Sequence, residues 1–201
     1  MGRPYRTVDP TNEPVSREMV KAHARIAHSD DNEFIDDQII PMARGVVEDV
    51  LGRSLIDQTW QWKNSSFTKF NNGEGSSSFR LPHPPLSSVT SIQYQDSDDV
   101  TQTVVTSVYE VDTNTDRVHL KYNQSWPSPR GHTDDVVITW VSGYGADWTA
   151  VPAQIRGYVL VLASTYYENR EEFIIQPGAV TARLTDMLMA MTGRHRVVEY
   201  I

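Results

Sequence analysis

One stretch constrains this chain more than any other. From Leu55 to Trp140 the sequence breaks into short runs rich in Val, Ile, Thr, Tyr and Trp, separated by polar turns. Such runs read as antiparallel strands. The spacing places them at 55–63, 78–81, 89–95, 101–105, 108–111, 116–121 and 135–141. Asp112–Asp116 reads as the hairpin turn between the fifth and sixth of these. The loop from Asn71 to Ser78, rich in Asn, Gly and Ser, is flexible by composition. Leu81-Pro82-His83-Pro84-Pro85-Leu86 is excluded from a central strand, because proline gives no ladder hydrogen bond. It belongs at an edge or in a crossover.

Helical patterns flank this region. Ser16 is a good N-cap, and Met19, Val20, Ala22, His23 and Ile26 follow at helical spacing. After Ser29-Asp30-Asp31 a second apolar stripe runs Ile35, Ile39, Met42, Val46, Val50. Gly52 suits its C-cap. Pro41 lies inside it and predicts a kink, since its ring clashes with the carbonyl of Asp37. Pro152 suits the first turn of a third helix whose apolar face is Ile155, Val159, Leu162 and Tyr166, widened by Tyr158 and Ala163. Residues 173–181 read as a loop, and Ala182–Met191 as a short Met-rich helix stopped by Gly193. Helices near 15–28, 30–52, 152–170 and 182–191 around an antiparallel β-rich insertion at about 55–145 predict an α+β fold with a small helical core. The domain reading is an N-terminal arm over 1–14, a main domain over 15–172, and a C-terminal helix and tail over 173–201. The arm carries Pro4, Pro10 and Pro14 and orders only by docking.

Composition narrows the function. The 201 residues carry a net charge of −8 and no cysteine, which excludes disulfides, thiolate metal sites and a cysteine nucleophile. Acids dominate residues 30–37, and residues 81–116 hold no Lys or Arg. Tight nonspecific DNA binding needs many phosphate contacts, so it is not expected. An acidic surface that DNA passes without sticking fits better. No apolar run reaches the roughly 20 residues of a membrane span, and the first residues lack the apolar core of a signal peptide.

Catalytic patterns are missing. There is no G-x-S-x-G elbow, P-loop or G-x-G-x-x-G. His23 and His28, five apart, do not share a helical face, and the acids after them suit a helix start. His83, His119, His132 and His195 are isolated in sequence. Asp96, Asp98 and Asp99 lack the remaining spacing of a calcium loop and read as a polar hairpin turn. Gly143-Tyr144-Gly145 reads as a backbone turn. Trp60, Trp62, Trp126, Trp140 and Trp148 suit core packing and subunit contacts. No catalytic, cofactor or metal site is expected.

Several stretches taken in order resemble one family. Val20-Lys21-Ala22-His23-Ala24-Arg25-Ile26, followed by Asp30-Asp31, is similar to the "KAHLRI…DD" opening of tailed-bacteriophage head–tail connector proteins. Val47-Glu48, Gly52-Arg53-Ser54-Leu55-Ile56 and Gln58-Thr59-Trp60 continue the likeness. Arg80-Leu81-Pro82-His83-Pro84-Pro85-Leu86 with Val89-Thr90-Ser91-Ile92 resembles the family's proline segment and following strand. Gly143-Tyr144-Gly145, Val151-Pro152, Ile155-Arg156 and Tyr167-Glu168-Asn169-Arg170-Glu171 close it. The likeness covers about residues 15–172 and departs at Pro41, the 71–78 loop and the last thirty residues.

The resemblance implies a structural virion protein, made in the host cytoplasm and located in the head–tail neck. It implies a homo-oligomeric ring of about twelve copies closed by a head-to-tail interface. The ring docks under the portal protein and presents a surface to a neck, stopper or tail terminator protein, with genomic DNA in its channel. No enzyme activity and no membrane partner are implied. Competing readings are another neck or tail completion (stopper) protein, a small hydrolase, and a carbohydrate-binding module. The tail is expected to contact the portal or a neighbouring subunit. Its residues are Arg194, Arg196, Val197, Val198, Tyr200 and Ile201, with Met187 and Met191 before them. It is β-prone and able to add a strand to a partner sheet.

Overall fold

A computed structural model describes residues 2–70 and 77–169. The fold is α+β, with helices and two antiparallel sheets. Two compact units divide the chain: residues up to Thr11 with Asp57–Tyr144, and Asn12–Ile56 with the described residues from Gly145 on.

The first unit is β-rich. Its elements are β1 (Tyr5–Val8), β2 (Gln58–Asn64), β3 (Ser78–Arg80), β4 (Leu86–Gln95), β5 (Thr101–Thr103), β6 (Tyr109–Asp112), β7 (Arg117–Leu120) and β8 (Val136–Ser142). Five strands form one sheet in the order β1-β2-β8-β4-β5, and three form another in the order β3-β7-β6. Every pairing is antiparallel. In β8, Val136, Ile138, Trp140 and Ser142 alternate inward with half-buried neighbours, the period-two pattern of a pleated strand. The core joins Trp62, Phe67, Phe70, Phe79, Ile92 and Trp140. The Trp140 indole donates to Ser142 Oγ at 2.9 Å, so its one polar atom is satisfied in the interior.

The proline segment is a crossover. It carries the chain from β3 in the smaller sheet to β4 in the larger. Asp116, at the end of the β6–β7 turn, pins it at both ends. Its backbone oxygen accepts from Leu81 N at 2.9 Å, its Oδ1 accepts from Leu86 N at 2.9 Å, and Arg80 reaches Oδ2 at 3.2 Å.

The N-terminal residues, read as an arm, carry a strand. β1 pairs with β2, Gly2 N donates to Asn64 Oδ1 at 3.1 Å, and Trp62 Nε1 donates to Gly2 O at 2.6 Å. A Cβ on Gly2 would lie 2.0 Å from the Lys63 carbonyl oxygen, so only glycine fits there.

The second unit is helical: α1 (Arg17–Ala24), a one-turn α2 (Asn32–Phe34), a π-helical turn (Ile35–Ile39), α3 (Ile40–Leu51) and α4 (Ala153–Glu168). Ser16 caps α1 by accepting from Met19 N. α1 is shorter than the sequence pattern suggests, because Arg25 turns left-handed (φ 56°) and ends it. Its buried residue is Val20, while Ala22 and His23 face solvent.

The second helix differs from expectation in an instructive way. The Ile40 N–H reaches back five residues to Ile35 O, opening a wide turn just before Pro41. Pro41 then falls in the first turn of α3, where its missing N–H is not needed. The wide turn takes in one extra residue. The buried face beyond it is therefore Ile40, Ala43, Val47 and Leu51, one position later than the expected Met42, Val46 and Val50. Met42 is exposed. α4 buries Ile155, Tyr158, Val159, Leu162 and Ala163 as the sequence predicts. Gly52 is left-handed (φ 63°) and caps α3. The expected helix over 182–191 lies outside the described residues.

Buried charge completes this unit. Arg44 Nε donates to Glu13 Oε2 at 2.8 Å, Arg44 Nη1 reaches Glu48 Oε2 at 3.1 Å, and Glu48 Oε1 accepts from Leu55 N at 2.9 Å. Desolvation works against the Arg44 charge, and the two glutamates outweigh it.

Candidate interaction surface

Among the described residues the larger sheet ends in two edges, β1 and β5, that pair with no further strand, and every residue of both strands is exposed. On β5 the ladder geometry fixes which groups look outward. Asp96 N donates to Val100 O at 3.1 Å and Val104 N to Ile92 O at 2.8 Å. Antiparallel bonding alternates, so the backbone groups of Thr101 and Thr103 point away from β4. Unpaired groups of this kind are a template for another strand.

Apolar side chains accompany both edges. Tyr5 is 41% and Val8 53% exposed on β1, and Val100 is 50% and Val105 61% exposed on either side of β5. Charge differs between them. Arg3 and Arg6 lie on or beside β1, and Lys63 sits 5.7 Å from the Tyr5 ring centre. Arg6 also bonds Asp9 at 2.7 Å. Asp96, Asp98 and Asp99 make the β4–β5 turn. Asp96 shapes it by accepting from the amides of Asp98 and Val100 at 3.0 Å and from Gln102 Nε2 at 2.8 Å. These bonds, that of Gln102 foremost, hold its carboxyl below the usual range. The hairpin-turn reading of this acidic run is the one the geometry matches.

Arg130 ties a long loop to the same end of the sheet. It donates to Asp135 Oδ1 at 2.9 Å and also bonds Asp99. Burial pushes the Asp135 carboxyl up, but Arg130 and the amides of His132 and Gly131 outweigh it and leave it below the usual range. Trp126, in the same loop, stacks on Phe67 at 4.9 Å.

The histidines disperse. His83 stacks on Trp60 at 3.8 Å. His23 is exposed on α1. His28 meets Tyr167 Oη at 3.2 Å, and that hydroxyl donates to Asp31 Oδ2 at 2.6 Å. Asp31 thus anchors the helix start to α4. Among the described residues no group of three His, Asp or Glu is placed to hold a metal ion. No described helix is long and apolar enough to cross a membrane. Of the tryptophans, Trp62 and Trp140 are core residues, while Trp148 lies under Arg156 at 4.8 Å. The eight residues singled out as an interface (Met187, Met191, Arg194, Arg196, Val197, Val198, Tyr200 and Ile201) all lie outside the described residues. Sequence reasoning missed the β1 edge and the Glu13–Arg44–Glu48 cluster.

No family model and no curated protein sequence matches this chain. Solved structures do. A chain from the neck of an empty gene transfer agent particle, solved with C6 symmetry, superposes with a TM-score of 0.74 at 18% identity, covering 99% of this chain and 97% of that one. This protein has the fold of a gene transfer agent neck subunit. A chain from the neck of the native particle, solved with C12 symmetry, gives 0.67 at 20% identity, with 97% of each chain covered. One from the native virion gives 0.71 at 18%, covering 98% and 97%.

Proposed function

We propose that this chain is a non-enzymatic structural subunit of the neck of a phage-like particle. It forms a ring adaptor between the portal vertex and the neck or tail, with DNA passing through the channel. The observation that carries this reading is end-to-end likeness. Both units, in one order, match a neck protein over nearly the whole of each chain. The C6 and C12 symmetry of those necks supports a ring, because closed rings are the ordinary outcome of head-to-tail contacts. The net charge of −8 suits a DNA path without adhesion.

The C-terminal segment, including Met187, Met191 and Arg194–Ile201, is the proposed contact with the portal or a neighbouring subunit. Mixing the purified chain with isolated portal and, separately, with isolated tail tube tests the assignment by negative-stain imaging. Rings seated on the portal are expected. Binding to the tail tube alone would reassign the chain as a stopper or tail completion protein. Deleting 194–201 is expected to abolish portal binding; normal particles after that deletion would remove the tail from the interface.

A further inference from the structure

A closed ring needs two different patches on each subunit, each fitting the other. We propose that these patches are the two open edges of the five-stranded sheet. β5 of one copy lies beside β1 of the next, so the sheets join edge to edge around the ring. This rests on the ring reading above and adds to it the surface that makes the ring.

Three observations converge. Both edges expose backbone groups to further pairing, those of Thr101 and Thr103 by the ladder alternation. Each edge also exposes apolar side chains, Tyr5 and Val8 against Val100 and Val105, which pairing would cover. The charges are complementary. Arg3, Arg6 and Lys63 leave the β1 edge positive even with Asp9 on Arg6, and Asp96, Asp98 and Asp99 leave the β5 edge negative even with Arg130 on Asp99. Opposite potentials select the β1–β5 contact over β1–β1 or β5–β5, where like charges meet.

Strand direction follows from topology. Each strand of the sheet runs opposite to its neighbours, so the first and fifth strands run the same way. Neighbours related by a small rotation keep that sense, and the junction is parallel. Both edge strands are short, and β1 has an irregularity between Arg6 and Val8. A bulge of this kind increases local twist, as a closing rotation requires.

The chain has no cysteine of its own, so introduced pairs report cleanly. Variants combining Tyr5→Cys or Thr7→Cys with Thr101→Cys or Thr103→Cys, oxidised under ring-forming conditions, are expected to give a ladder of covalent dimers, trimers and higher species. Each single variant is expected to stay monomeric on a denaturing gel. Thr103→Pro removes an outward N–H without touching the β4 ladder, and is expected to weaken ring formation roughly tenfold. Arg3→Glu and Asp98→Arg are each expected to weaken it about twofold to fivefold, and together to restore it. Rings in the microscope with no ladder from any double variant would overturn the edge contact and leave the ring reading standing. Dimers from Thr103→Cys alone would also overturn it. Absence of both rings and ladders, even with portal added, would overturn both.

Discussion

The two units solve the same problem with different chemistry. The β-rich unit is packed with aromatic rings: Phe67 stacks on Trp126, Trp62 meets Phe70 edge-on at 4.8 Å, and Trp140 is fully buried with its indole N–H bonded. The helical unit packs aliphatic side chains, Ile35, Ile40, Val47, Leu51, Ile155 and Leu162, and adds a Glu13–Arg44–Glu48 cluster in which Arg44 and Glu48 are buried. Aromatic burial removes a large area from water and fills a large volume. A buried ion cluster contributes little net stability, yet it is costly to break by halves. The first unit is therefore expected to fail in proportion to lost volume, and the second in proportion to lost charge balance.

Substitution separates these modes. Trp140→Ala empties the centre of the five-stranded sheet and is expected to cost about 4 kcal/mol in denaturant unfolding. Arg44→Ala removes the cation between buried Glu48 and half-buried Glu13 and is expected to cost about 3 kcal/mol. Combining Arg44→Met with Glu13→Gln and Glu48→Gln should recover most of that loss. A triple variant as unstable as Arg44→Ala would mean that the cluster itself, and not its balance, stabilises the unit. Asp116→Ala frees the Leu86 amide and Arg80 at the crossover, and is expected to cost about 1–3 kcal/mol.

The smallest effect is a pH dependence. The Asp135 carboxyl is lower in the folded protein than the unfolded value of about 3.9. Its stabilisation is complete above that value and is lost as pH falls through the folded one. The thermal midpoint of Asp135→Asn should therefore fall below that of the parent at pH 7, and the gap should close toward pH 3. A gap that stays constant with pH would show that shape, not charge, holds the Arg130 loop.

Much of the architecture was legible because the physics is local. All seven expected strands are present, since alternation and turn residues mark them within a few positions. The Asp96 and Asp112 turns were readable from side chains that bond amides two residues on. β1 was missed because Tyr5–Val8 bury no face and so carry no alternation to detect. The ion cluster was hidden because Glu13 and Arg44 stand 31 residues apart. The α3 face came out one position off, because a pattern assuming uniform pitch cannot register a wide turn. The candidate surface was the least legible part. An edge strand is defined by the neighbour it lacks, and no single residue announces that.

The wide turn ahead of Pro41 has a consequence for how this chain tolerates change in length. Removing one residue between Ile35 and Ile39 would restore ordinary pitch and leave Ala43, Val47 and Leu51 facing inward as they do now, because the wide turn absorbs that one residue. Closing the turn with every residue kept would instead swing α3 by about 100° and set Met42, Val46 and Val50 in their place. Those five positions work as a phase-absorbing spacer. The helix can shed one residue there and keep its buried face, whereas the same loss within α3 would turn that face outward.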